Sequence, residues 1–171
     1  MATPATVVIK ERNGAPAGTE TPITNTNMGN TDTVNMTISK TTAITAGAYS
    51  YEKWQRFNVT AFNDATDIGG LKVWASALLT GSDVHKTNVR EAGWVQSAYA
   101  QPINTASTLA GQTMPILEPT GPNVGIANSY VTTMTSAGET YSDYLIMQIS
   151  VAAGTTVGKA ITMNYQYDEY G

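Results

Sequence analysis

Apolar and polar residues alternate with a period of two along several stretches of the chain, the pattern of an extended strand with one buried face. Thr6 to Glu11 is the first such stretch, broken by Asn13-Gly14 and by the Pro16/Gly18 cluster. Thr33 to Ser39 places Val34, Met36 and Ile38 on one face and Asn35, Thr37 and Ser39 on the other. Lys53 to Phe62 groups Phe57, Val59 and Ala61, with Trp54 on the opposite parity beside Arg56, Asn58 and Thr60. That parity predicts either a bulge near Gln55 or a tryptophan covering the outer face of the sheet. Asn63 to Gly70 reads as a polar turn, after which Leu71, Val73 and Ala75 alternate with Lys72, Trp74 and Ser76. Near the end, Tyr144 to Val151 aligns Leu145, Met147, Ile149 and Val151. Gly154 to Gly158 turns the chain, and Ala160 to Tyr167 sets Ile161, Met163, Tyr165 and Tyr167 against Thr162, Asn164 and Gln166.

Between these stretches, residues 76–129 are punctuated by Gly81, Gly93, Pro102, Gly111, Pro115, Pro119, Gly121, Pro122 and Gly125. They read as loops holding short strands, around Trp94 to Tyr99 and Thr113 to Leu117, with a single helical turn near Ser82 to Arg90. A structureless excursion of that length is unusual in a compact domain, so further strands or a loop that docks on a partner are expected. Helical periodicity is missing, as is any internal repeat of roughly 20–50 residues. The expected fold is all-β: a two-layer antiparallel β-sandwich, immunoglobulin-like or jelly-roll-like, with a long irregular central segment. Residues 1–24 read as an extended N-terminal arm with one strand. Residues 25–171 read as a single sandwich domain with a loop-rich insertion at about 79–128.

Composition strengthens that reading. Twenty-seven threonines stand against six leucines, and threonine is β-branched and favours extended chain. Charged residues make up 13% of the chain, about half the usual share of roughly 25%. A net charge of −4, without any run of basic residues, argues against binding nucleic acid or an anionic membrane. The N-terminus has no basic start followed by a long apolar core, so no signal peptide is expected. Cysteine is absent, which excludes disulfides, thiolate catalysis and thiolate metal sites.

Candidate chemistry is sparse. The one histidine, His85, has Asp83 two residues away, but no Gly-x-Ser-x-Gly elbow accompanies it, and a solvated loop is the plainer reading. Asn63, Asp64, Thr66 and Asp67 form an oxygen-rich turn, a weak candidate for calcium, although Asn and Asp are also what a hairpin turn uses. Asp168-Glu169 reads as a solvated tail. No catalytic residue and no cofactor is expected, and the chain reads as a non-enzyme. Trp54, Trp74 and Trp94 form either a flat glycan-binding platform or part of the core, and Tyr165, Tyr167 and Tyr170 form a candidate interface patch.

Two linked stretches carry a resemblance. Ser50-Tyr51-Glu52-Lys53-Trp54-Gln55-Arg56-Phe57-Asn58-Val59-Thr60, followed by Ile68-Gly69-Gly70-Leu71-Lys72-Val73-Trp74, resembles a strand pair in structural proteins of tailed bacteriophages. Ser142 to Ile149 and Tyr165 to Glu169 are similar to their closing strand pair. Asn25 to Asp32 resembles the turn before a strand in immunoglobulin-like modules. Together these cover under half the chain. The resemblance implies a virion component made in the host bacterial cytoplasm, foremost a capsid decoration or cement protein. A tail, baseplate or fibre-associated protein, or a carbohydrate- or receptor-binding module, is the alternative. Implied partners are major capsid or tail subunits, with copies arranged as a homo-oligomer or on a lattice. No catalytic residue is carried over.

Overall fold

The computed structural model describes residues 2–79, 81–89, 98–154 and 160–171. Their strands are β1 (Thr6–Asn13), β2 (Thr19–Pro22), β3 (Lys53–Ala61), β4 (Asp67–Ala75), β5 (Val84–Thr87), β6 (Gln112–Thr113), β7 (Met134–Thr135), β8 (Leu145–Ser150) and β9 (Met163–Tyr170). Two antiparallel sheets result, one ordered β2-β1-β3-β8-β5-β6 and the other β7-β4-β9. They pack face to face as a β-sandwich, and the described residues contain no helix.

The alternation places the inner faces. Phe57 and Val59 from β3, with Leu145 and Met147 from β8, meet Leu71, Val73 and Ala75 from β4 in one buried cluster, and Val7, Ile9, Met163 and Tyr165 pack against it. β1 pairs with β3 from Thr6↔Ala61 to Arg12↔Trp54, slipping once between Thr6 and Val7. Facing sheets that each bury one parity account for the period of two. The first 24 residues, expected as an arm with one strand, supply two strands joined as a hairpin inside the larger sheet.

Several expectations need correction. Thr33–Ser39 is not a strand: Asn35 sits at φ +52, in the left-handed region, which breaks extended chain. Its side-chain oxygen accepts the Thr24 and Asn25 amides, and Met36 is buried beneath the turn. Ser82–Arg90 holds β5 rather than a helical turn, because His85 and Thr87 alternate inward while the backbone pairs with β8 from Val84↔Ser150 to Thr87↔Met147. Of Thr113–Leu117 only Thr113 lies in a strand, the two-residue β6, and Pro115, which has no N–H to donate, comes two residues later. Of the expected strand Trp94–Tyr99, residues 94–97 lie outside the described residues, and Ala98 and Tyr99 are not in a strand.

The polar turn after β3 is shorter than expected, since β4 begins at Asp67. A register irregularity between Gly69 and Lys72 lets β4 continue opposite β9. Gly70 sits there at φ +61 with the Asp168 carboxylate against it, so a side chain at this position would be strained and would clash. Asp168-Glu169, read as a tail, belongs to β9 and pairs with Gly69 and Ile68.

Candidate functional site

Trp54 settles the parity question by covering the outer face of the larger sheet. It is fully buried in a small second cluster with Ala110, Tyr144 and Ile146, and Tyr99 packs against it. Tyr99 and Tyr144 approach it edge-on, at 5.3 and 5.5 Å between ring centroids. The Trp54 indole N–H donates to Glu52 at 2.9 Å. A glycan platform needs an exposed ring, and Trp54 offers none.

Around this aromatic layer lies a ring of guanidinium contacts. Arg56 stacks over Tyr141 at 3.8 Å and pairs with Glu20 at 2.6 Å. Arg12 lies 4.6 Å from the Tyr99 ring centre and donates to the Tyr144 hydroxyl, which in turn donates to Glu20. Burial pulls the Glu20 carboxyl upward. The hydrogen bonds from Arg56 and Tyr144 outweigh that and hold it below the ordinary carboxylate range.

The inner face holds a second polar network. Glu11 and Lys53 are both buried and pair at 2.7 Å. Asn13 donates to the same Glu11 oxygen, and Gln55 donates to the other at 2.9 Å. Lys53 also donates to the Thr33 carbonyl. The Tyr165 hydroxyl donates to the Gln55 side-chain oxygen at 2.6 Å and bonds Thr26, and its ring meets Phe57 edge-on. Burial pushes the Tyr165 phenol well above its ordinary value. Tyr165 therefore links the sheets from within instead of forming a surface patch.

Other expected site residues scatter. Trp74 is half-buried, with the side-chain amide of Asn164 donating to its carbonyl, and Trp94 lies outside the described residues. Tyr167 packs against the core, whereas Tyr170 is exposed at the end of β9. In the oxygen-rich turn, Asp64 accepts the Thr3 amide, Thr66 donates to the Tyr170 carbonyl, and Asp67 accepts from Thr133. Asn63 donates to the Pro4 carbonyl. Those bonds tie both chain termini to the β3–β4 turn. Among the described residues no group of three or more His, Asp or Glu gathers in a metal-binding arrangement.

His85 is not in a solvated loop. It lies on β5, 6% exposed, and neither ring nitrogen has a hydrogen-bond partner among the described residues. Burial depresses its pKa to about 4. His85 is among the residues that line a cavity of about 670 Å3 between β9 and the larger sheet, and a smaller one of about 180 Å3 that also touches Leu78 and Ile116, while both its ring nitrogens are sealed from solvent-sized space. Sequence reading missed this site because it rests on which strand His85 joins, and a four-residue strand carries almost no periodicity of its own.

No family model, no curated protein and no solved structure matches the chain.

Proposed function

We propose that this chain is a non-enzymatic structural protein of a tailed-bacteriophage particle, foremost a capsid decoration or cement protein, acting through surface contact. The observation that supports this reading best is an apolar rim at one end of the sandwich. Leu78, at 60% exposure, and Ile116 border the same small cavity, and Leu117 follows at 77% exposure. Clustered exposed apolar side chains cost solubility unless a partner covers them. The rim adjoins β6, the last strand of the larger sheet among the described residues, and a sheet edge is where another chain can add a strand.

The alternative reading, a carbohydrate- or receptor-binding module, loses its central tryptophan to the outer-face cluster. Mass spectrometry of purified particles tests the proposal. The chain is expected in fixed stoichiometry with capsid or tail subunits, and recombinant protein is expected to rebind particles stripped of it. Leu78→Glu with Leu117→Glu should abolish rebinding while leaving the β-sheet circular dichroism spectrum intact. Absence from particles, or rebinding untouched by both substitutions, would refute the proposal.

A further inference from the structure

We infer that the free edge of β9 accepts an extended segment of a partner chain. The segment adds a fourth strand to the smaller sheet, turns aliphatic side chains into the adjoining cavity and sets a lysine or arginine beside Asp168. The smaller sheet is ordered β7-β4-β9, so one edge of β9 is unpaired among the described residues. At eight residues β9 is the longest edge strand of either sheet, against four in β2 and two each in β6 and β7. It contains no lysine and no proline, the residues that commonly blunt an exposed edge.

The direction of its free backbone groups follows from the register. Ser76 donates its N–H to the Thr162 carbonyl, and Trp74 and Lys72 lie opposite Asn164 and Gln166. In an antiparallel pair every second residue bonds the neighbour. Asn164 and Gln166 therefore bond β4, and the N–H and C=O groups of Met163, Tyr165 and Tyr167 project from the other edge. Among the described residues nothing bonds those groups. A row of unpaired donors and acceptors is the template for strand addition.

The cavity of about 670 Å3 lies beside this edge. Met163 and Tyr165 line it, with Val7 and Ile9 from β1 and the polar residues 24–27 across from them. Walls that mix polar groups with aliphatic side chains suit a peptide in extended form, whose side chains alternate between the two faces. The β9 of a second copy fits less well, because its own Met163, Tyr165 and Tyr167 already pack against their core and leave nothing to enter the cavity. Charge narrows the partner further. β9 carries Asp168 and Glu169 and no cation, Asp168 is exposed, and Lys72 is committed to Glu118. A basic residue at that end of the added strand gains an opposite-charge neighbour. Strand addition here is independent of whether the chain sits in a particle.

The probe is a capped nonapeptide in which valine and threonine alternate between terminal lysines, added to the full chain. Calorimetry should show saturable one-to-one binding. Amide hydrogen exchange should slow at least tenfold at Met163, Tyr165 and Tyr167 and stay unchanged at Asn164 and Gln166. N-methylation of the peptide's central backbone amides keeps every side chain and should weaken binding at least tenfold. Glutamates in place of the lysines should weaken it at least threefold. No saturable binding, binding indifferent to N-methylation or to the glutamate exchange, or unmoved exchange at the three amides would each overturn the inference. Slowing of those amides with rising protein concentration alone would assign the edge to a second copy and overturn it too.

Discussion

The larger sheet carries a carboxylate–cation pair on each face, and the two differ in depth. Glu11–Lys53 on the inner face is buried at both ends, and Asn13 and Gln55 add further donors to the carboxylate. Glu20–Arg56 on the outer face keeps 16% and 18% side-chain exposure and lies against Tyr141 and Tyr144. Water and salt screen the outer pair, so its ions contribute little and its aromatic packing contributes most. The inner pair is desolvated, so the full set of bonds is needed to offset the cost of burying charge. Similar chemistry on opposite faces of adjacent strands therefore does two jobs: the inner pair fixes how the sheets meet, and the outer one seals a tryptophan.

The largest expected effect comes from breaking the inner pair on one side. Lys53→Met leaves Glu11 buried without its cation and should cost about 3–5 kcal/mol in urea unfolding. Next is the pH response of the inner face. His85 titrates near 4 when folded, against an ordinary value of 6.5, so the unfolded chain holds more protons between those two pH values. Stability should be full above about pH 6.5, fall as pH drops towards 4, and flatten below. Converted at about 1.36 kcal/mol per pH unit, that interval is worth about 3 kcal/mol. His85→Gln should remove this slope from a pH series of unfolding midpoints, while the part due to carboxylates remains. Tyr165→Phe deletes the hydroxyl that bonds Gln55 and Thr26 and should cost about 1–2 kcal/mol. Smallest is Glu20→Gln on the outer face, expected at below about 1 kcal/mol at moderate salt and shrinking as salt rises.

Long strands were legible because each buries one parity on a sheet facing the other: β1, β3, β4, β8 and β9 all lie within or across the alternating stretches. Trp54 shows where that logic thins. Its parity left a bulge near Gln55 or a covered outer face equally open, and nothing near it in sequence names Tyr99, Ala110 and Tyr144 as the cover. Thr33–Ser39 misled because alternation reports only spacing, whereas Asn35 turns left-handed and uses its side chain to bind residues 24 and 25. Nothing in the alternation marks Glu11 and Lys53 as buried, since charge is normally exposed. Their burial follows from a partner 42 residues away, a separation that periodicity cannot see. The cavity beside β9 was illegible for the same reason, being a property of strand order.

The contrast between the two faces rests on how strongly each pair is coupled, and parallel double-mutant cycles measure that directly. Glu11→Gln with Lys53→Met forms one cycle, and Glu20→Gln with Arg56→Met forms the other, both read by urea unfolding at one salt concentration. The inner pair should show a coupling above about 2 kcal/mol and the outer pair one below about 1 kcal/mol. Equal couplings, or a larger one on the outer face, would contradict the assignment of the inner network as the element that fixes the two sheets together.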